Sequence, residues 1–224
     1  MSAPRAAGGQ VQGKRRRQED AFHVDCYESG DVLAIVADGL GGHPAGDVAS
    51  REAVREFAMQ FGRRRDDGKK TPRQWLQEAT MATHEHLLEM TRANRDLREM
   101  ATTLIALYVR KNEFWAVSVG DSYLLLQRGD RLVRLNELHS EGGGVTSCLG
   151  YNLARVDVAD TLAVHQGDRF LLASDGIIAL DDAEVSAYLK EAADAAAAVK
   201  GLLAGVEHVA LPNQDNATAV VVLA

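Results

Sequence analysis

Four short apolar runs in this 224-residue chain each abut an aspartate, and that arrangement restricts the fold more than any other feature of the sequence. Asp38 follows "LAIVA", Asp121 follows "AVSVG", Asp175 follows "FLLAS", and Asp215 stands one residue before the run that begins at Ala217. Short β-prone runs bounded by Gly, Asp and Asn predict strands. Each pair such as Asp38-Gly39 or Asp215-Asn216, taken singly, is ordinary turn chemistry. Four of them together place carboxylates at the ends of rigid elements, from which they can converge. Converging carboxylates repel and raise one another's pKa unless a cation occupies the space. Oxygen donors with no His or Cys among them suit Mg²⁺ or Mn²⁺ better than zinc, and a backbone carbonyl such as that of Gly39 can complete the set.

The rest of the chain gives the layers. "AFHVDCYESGDVLAIVAD" predicts two strands around an "ESGD" turn. Val54, Phe57, Ala58 and Phe61 share one helical face. A second helix opens at Thr71, where Gln74 completes a capping box and Pro72 occupies the first helical position, and it runs to about Asn94. Strand and hairpin patterns follow, then an Ala-rich helical stretch from about Asp181 to Val209, then a last strand in "ATAVVVLA". Helices come in pairs instead of alternating with single strands, which favours packed antiparallel sheets covered by helices over a doubly wound parallel sheet. His84 and His86, two apart on a helix, share no face and are read as surface residues. The run Arg63 to Arg65 is read as a solvated helix end.

A formal charge of -7 argues against nucleic-acid binding, and no segment reaches the apolar length needed to span a bilayer. Cys26 and Cys148 form no metal-binding or disulfide pattern and are expected as reduced thiols, so the protein is expected in the cytoplasm. A single domain over 1–224, with a short disordered N-terminus over about 1–10, and a monomer are the expectations.

"RRRQEDAF", "VADGLGGHPAGDVAS", "ATTLIAL", "VGDSYLL", "LLASDGI" and "QDNATAVVV" resemble, in order and spacing, the metal-dependent Ser/Thr protein phosphatases, the PPM or type 2C family, in its compact bacterial form. The resemblance spans about Lys14 to Val222. It implies an α+β fold, a four-layer α/β/β/α sandwich of two antiparallel sheets flanked by helices. It implies a protein serine/threonine phosphatase in which two Mg²⁺ or Mn²⁺ ions, with a third possible, activate water for in-line attack on phosphorus. Asp38 and the Gly39 carbonyl, Asp175 and Asp215 match the core ligands, and Asp121 matches the ligand of the third ion. Glu19 matches the acid that holds water behind the metals, and Asp20 a structural neighbour. Arg15 matches the phosphate-binding arginine, whose planar fork suits phosphate oxygens. His43 is the candidate to protonate the leaving alkoxide. Phosphorylated proteins, among them a Ser/Thr kinase, are the implied partners. A module of the same fold that binds phosphoprotein without turnover is the competing reading; loss of a core Asp would favour it, and none is lost. Two departures bear on the substrate side: Tyr123 follows "GDS" where many relatives carry Arg, and the flap between His139 and Leu149 is short.

Overall fold

The computed structural model describes residues 5–40, 45–65, 70–159 and 162–224. Two antiparallel sheets stack face to face. The first contains β2 (Asp20–Cys26), β3 (Val32–Asp38), β4 (Leu104–Arg110) and β5 (Glu113–Val119), with the short β10 (Asp157–Val158) and β11 (Leu162–Ala163) both pairing with β5. The second is ordered β1 (Arg5–Val11), β13 (Ala217–Leu223), β12 (Arg169–Ala173), β6 (Tyr123–Arg128), β7 (Arg131–Arg134). A small hairpin, β8 (Ser140–Glu141) with β9 (Gly144–Val145), projects from the connection after β7. Helices α1 (Gly46–Arg65) and α2 (Pro72–Ala93) cover the first sheet, and α3 (Asp182–Glu191) and α4 (Ala195–Val209) cover the second.

Residue alternation along the strands sorts the core into three layers. Val32, Ala34 and Val36 of β3 meet Leu124 and Leu126 of β6, with Phe170 and Val220, between the sheets. Leu33, Ile35 and Ala37 turn outward onto Phe57, Phe61 and Leu76 of the first helix pair. Leu171, Ala219 and Val221 turn the other way onto Val199, Leu202 and Val206 of α4. Central strands buried on both faces have no polar side to alternate with, which is why they read as continuous apolar runs. The expected α/β/β/α sandwich is the observed architecture.

Local signals hold in α1 and α2: Val54, Phe57 and Phe61 are buried, and Thr71 and Gln74 make the reciprocal capping box. Four readings are corrected. The N-terminal stretch expected to be disordered is strand β1 from Arg5 onward, paired along its length with β13. Its glycines are small because they are packed. A Cβ on Gly8 would stand 2.5 Å from the Phe22 ring, and one on Gly9 would stand 2.9 Å from Val199 of α4. His84 is not a surface residue: it is 8% exposed, and its Nδ1 accepts a 3.2 Å hydrogen bond from the Gly150 N–H. Only Arg63 of the arginine run is exposed; Arg65 lies over the Tyr27 ring at 3.6 Å, and Arg64 pairs with Glu78. The Ala-rich helical stretch is two helices. Asp194 caps the second by accepting from the Ala197 N–H, while Arg169 takes the carbonyls of Leu189 and Ala192 at the end of the first.

Candidate functional site

Antiparallel pairing explains why distant aspartates meet. β3 and β5 both run antiparallel to β4, so Asp38 at the end of β3 and Asp121 just past β5 lie at the same end of the first sheet. β12 and β13 are antiparallel neighbours, so Asp175 just past β12 and Asp215 just before β13 also share an end. Stacking the sheets joins these ends in one cleft of about 400 Å³, lined by Arg15, Glu19, Asp38, Gly39, Asp121, Asp175 and Asp215 and roofed by Gly143, Gly144 and Val145 of the β8–β9 hairpin. Seven of the sequence-predicted site residues therefore line a single cavity. Asp20 lies behind it, and His43 lies outside the described residues.

The cleft floor is over-supplied with negative charge. Burial is the main cause that raises the Asp38 carboxyl well above the usual range, and the nearby Asp20, Asp175 and Asp121 add to it. Asp175 is pushed up to about 6, first by burial and then by Asp215, Asp121 and Asp20, with Arg15 opposing. Asp121 and Glu19 are also raised, in both cases chiefly by burial. Arg15 answers part of this charge: its guanidinium lies 2.5 Å from Asp215 Oδ2, while the other Asp215 oxygen accepts from the Asn216 N–H at 2.8 Å.

Asp20 is more than a neighbour. Only 4% exposed, it is the cross-strand partner of Asp38, and its Oδ2 accepts from Ser174 Oγ at 2.7 Å and Thr218 Oγ1 at 2.8 Å. One carboxylate thus ties the start of β2 to the residue before Asp175 and to β13. Its Oδ1 has no hydrogen-bond partner although it is buried. Thr103 does similar work on the other side, accepting from the Asp38 N–H at 2.9 Å and touching Ser122 Oγ at 2.7 Å.

Asn216 was missed by sequence reasoning because its position read as turn chemistry. It is 3% exposed; Oδ1 accepts from the Glu19 N–H, and Nδ2 donates to the Gln12 and Arg17 carbonyls. This amide fixes the Arg15–Glu19 segment to the strand that carries Asp215. The glycines set close approaches. A Cβ on Gly39 would stand 2.2 Å from the Gly46 carbonyl at the start of α1, and one on Gly176 would stand 2.0 Å from the Asn216 carbonyl. Gly176→Ala is expected to destabilise the fold by about 1–3 kcal/mol through forced backbone displacement. Gly62→Ala, on α1 with nothing within 4 Å, is expected to stabilise by about 0.5–1 kcal/mol. Thermal denaturation of both variants checks this; equal shifts would show that the contact at Gly176 relaxes freely.

The donor set fits a hard divalent cation. It is all oxygen, and it contains more carboxylate than buried space tolerates. Among the described residues no group of three His, Cys, Asp or Glu side chains is already closed into a ligand set, and Arg15 and the Asn216 N–H take both Asp215 oxygens. Each Asp215 oxygen accepts one hydrogen bond and keeps a lone pair for a cation.

A family model described as protein phosphatase 2C matches residues 8–218. Among curated relatives, the serine/threonine phosphatase stp of Listeria welshimeri is 33% identical over 134 residues, covering 56% of this chain and 50% of that protein. The protein phosphatase PhpP of Streptococcus pneumoniae is 26% identical over 184 residues, covering 73% of this chain and 74% of that protein. The chain thus spans about half the length of the Listeria relative in the matched region. Among solved structures, the catalytic domain of the serine threonine protein phosphatase PstP in complex with two manganese ions superposes with a TM-score of 0.82 at 25% identity, covering 99% of each chain. PppA, described as a key regulatory component of T6SS in Pseudomonas aeruginosa, superposes with a TM-score of 0.79 at 30% identity, covering 99% of this chain and 98% of that one.

Proposed function

This chain belongs to the protein phosphatase 2C family, and we propose that it hydrolyses phosphoserine and phosphothreonine esters of proteins. The observation that carries the proposal is the convergence of Asp38, Asp121, Asp175 and Asp215 with Arg15 in one cleft open to solvent. Asp38, Asp175, Asp215 and the Gly39 carbonyl are assigned to two core Mg²⁺ or Mn²⁺ ions, and Asp121 to a third. When bound, such ions supply Lewis acidity that makes water nucleophilic near neutral pH and offsets charge on the phosphoryl group.

The chain's own residues bind and orient. Arg15 presents a planar fork from the cleft rim and, on releasing Asp215, pairs with two phosphate oxygens. Glu19, raised in pKa and held through its N–H by Asn216, accepts a hydrogen bond from water inside the cleft. Asp20 and Thr103 keep the strand ends from drifting as charge is exchanged. His43 is assigned the protonation of the departing Ser or Thr oxygen. All four predicted metal-binding aspartates are present in the cleft, and nothing in its geometry favours a binding module without turnover. A Ser/Thr kinase and its substrates are the proposed partners. Among the described residues no helix is long and apolar enough to cross a membrane.

The test is phosphate release from a phosphothreonine peptide with Mn²⁺ and again after chelation; no release with any divalent cation would overturn the reading. Arg15→Ala is expected to raise KM by about tenfold with a smaller change in kcat, because a clamp on phosphate acts in ground and transition state alike. Arg16→Ala, exposed beside it, is expected to change KM less than about twofold. Steady-state kinetics on the phosphopeptide check this, and equal effects at the two positions would move the phosphate clamp away from Arg15.

A further inference from the structure

His139 takes no part in the chemistry described above, yet it joins three elements around the cleft. It is 4% exposed. Its main-chain N–H donates to the Gly120 carbonyl at 2.9 Å, and its ring Nδ1 accepts from the Gly120 N–H at 3.1 Å. One residue thus satisfies both main-chain polar groups of Gly120, the residue that aims Asp121. Gly120 has little freedom to find other partners: its φ is +96°, and a Cβ there would stand 2.6 Å from Thr103 Cγ2. The His139 carbonyl accepts from the Thr146 N–H at 2.8 Å, which closes the base of the β8–β9 hairpin over the cleft. On the far side, Nε2 lies 3.0 Å from Asp157 Oδ2, and Arg155 holds the other Asp157 oxygen at 2.7 Å. Because Nδ1 accepts, the ring proton sits on Nε2 and is donated to Asp157; the carboxylate fixes tautomer and orientation together.

We propose that His139 is a positioning residue for the cleft, locking the Gly120–Asp121 turn and the β8–β9 hairpin into one unit and so setting where Asp121 offers its carboxylate. The inference rests on the reading of Asp121 as a cation ligand. Ser122, next in the chain, touches Thr103, which in turn receives the Asp38 N–H, so the unit set by His139 is continuous with the core ligand Asp38. Losing the acceptor at Nδ1 leaves the buried Gly120 N–H without a partner, and the turn must move to find one.

Two amide substitutions separate the ring's two contacts. The side-chain oxygen of His139→Asn falls where Nδ1 lies and keeps an acceptor for Gly120, while losing reach to Asp157. The amide of His139→Gln reaches toward Asp157 and leaves Gly120 unpaired. With Mg²⁺ and the full chain, nitrogen NMR of the wild type should show an unprotonated Nδ1 and a protonated Nε2. The Gly120 amide should be protected from hydrogen exchange in wild type and Asn variant and exposed in the Gln variant. Calorimetry should show the weakest-bound Mg²⁺ lost or weakened by about 10–100-fold in the Gln variant, as expected for removal of a group that orients a ligand. Turnover should fall with it, KM for the phosphopeptide should stay near wild type, and the Gln change should add little to Asp121→Ala. Wild-type cation affinity and turnover in the Gln variant would overturn the proposal. So would equal losses in both variants that track their melting temperatures without metal, or identical Mg²⁺ stoichiometry in wild type and Asp121→Ala. A wild type without turnover would instead overturn the phosphatase reading, and calorimetry with Gly120 exchange would still decide the role of His139.

Discussion

Asp38→Asn and Asp175→Asn are each expected to reduce phosphate release from a phosphothreonine peptide by at least about a hundredfold at modest Mn²⁺, a barrier increase of roughly 2.7 kcal/mol or more. The two residues occupy the most crowded part of the cleft, where burial and neighbouring carboxylates already oppose ionisation of both. An amide at either position removes a charge that holds a cation and leaves the geometry of the strand end intact. The loss is expected in kcat and in cation affinity, since neither substitution removes Arg15 or its partner Asp215. Raising Mn²⁺ should recover part of the rate if the ligand's only task is affinity, and none if its charge also shapes the reacting water. Near-normal turnover at modest Mn²⁺ by a folded variant would remove that residue from the core of the site.

How far the sequence revealed this site depended on side-chain chemistry. The aspartates were legible because each ends an apolar run long enough to mark a strand, and antiparallel pairing converts strand ends into neighbours. Asn216 was illegible because its three hydrogen bonds go to main-chain groups some 200 residues away, which no local pattern encodes. β1 was illegible for the opposite reason: "RAAGGQV" has the composition of a flexible segment, whereas its small residues are demanded by Phe22 on one face and Val199 on the other. His84 was misread because sequence spacing says which residues share a helix face but not what packs against that face; here Gly150 does. The same limit applies to His139, whose partners Gly120 and Asp157 lie on two different strand ends.

Asp175→Asn, which is expected to lower turnover, is also expected to stabilise the metal-free protein at neutral pH, a second result of opposite sign. A carboxyl raised in the fold binds its proton more tightly there than in the unfolded chain. Stability from such a group is therefore fully present below the ordinary carboxylate range and is lost as pH rises from that range through the folded pKa. For Asp175 the fall spans the interval up to about 6, and Asp38 extends it in the same direction. At pH 7.5 without metal Asp175 carries charge that the cleft disfavours, so the wild type should melt lower at pH 7.5 than at pH 5.5. Asp175→Asn removes one of the charges and should melt above wild type at pH 7.5 in chelator, by about 2–4 °C for each kcal/mol of repulsion relieved in a domain of this size. Saturating Mn²⁺ should reverse the order, because the wild type gains binding energy by mass action and the variant gains less. Melting curves of both proteins at the two pH values, in chelator and in Mn²⁺, give the answer. A variant that melts below wild type in chelator at pH 7.5 would show that Asp175 contributes favourable contacts outweighing its charge, and that electrostatic crowding of the carboxylates does not drive cation binding.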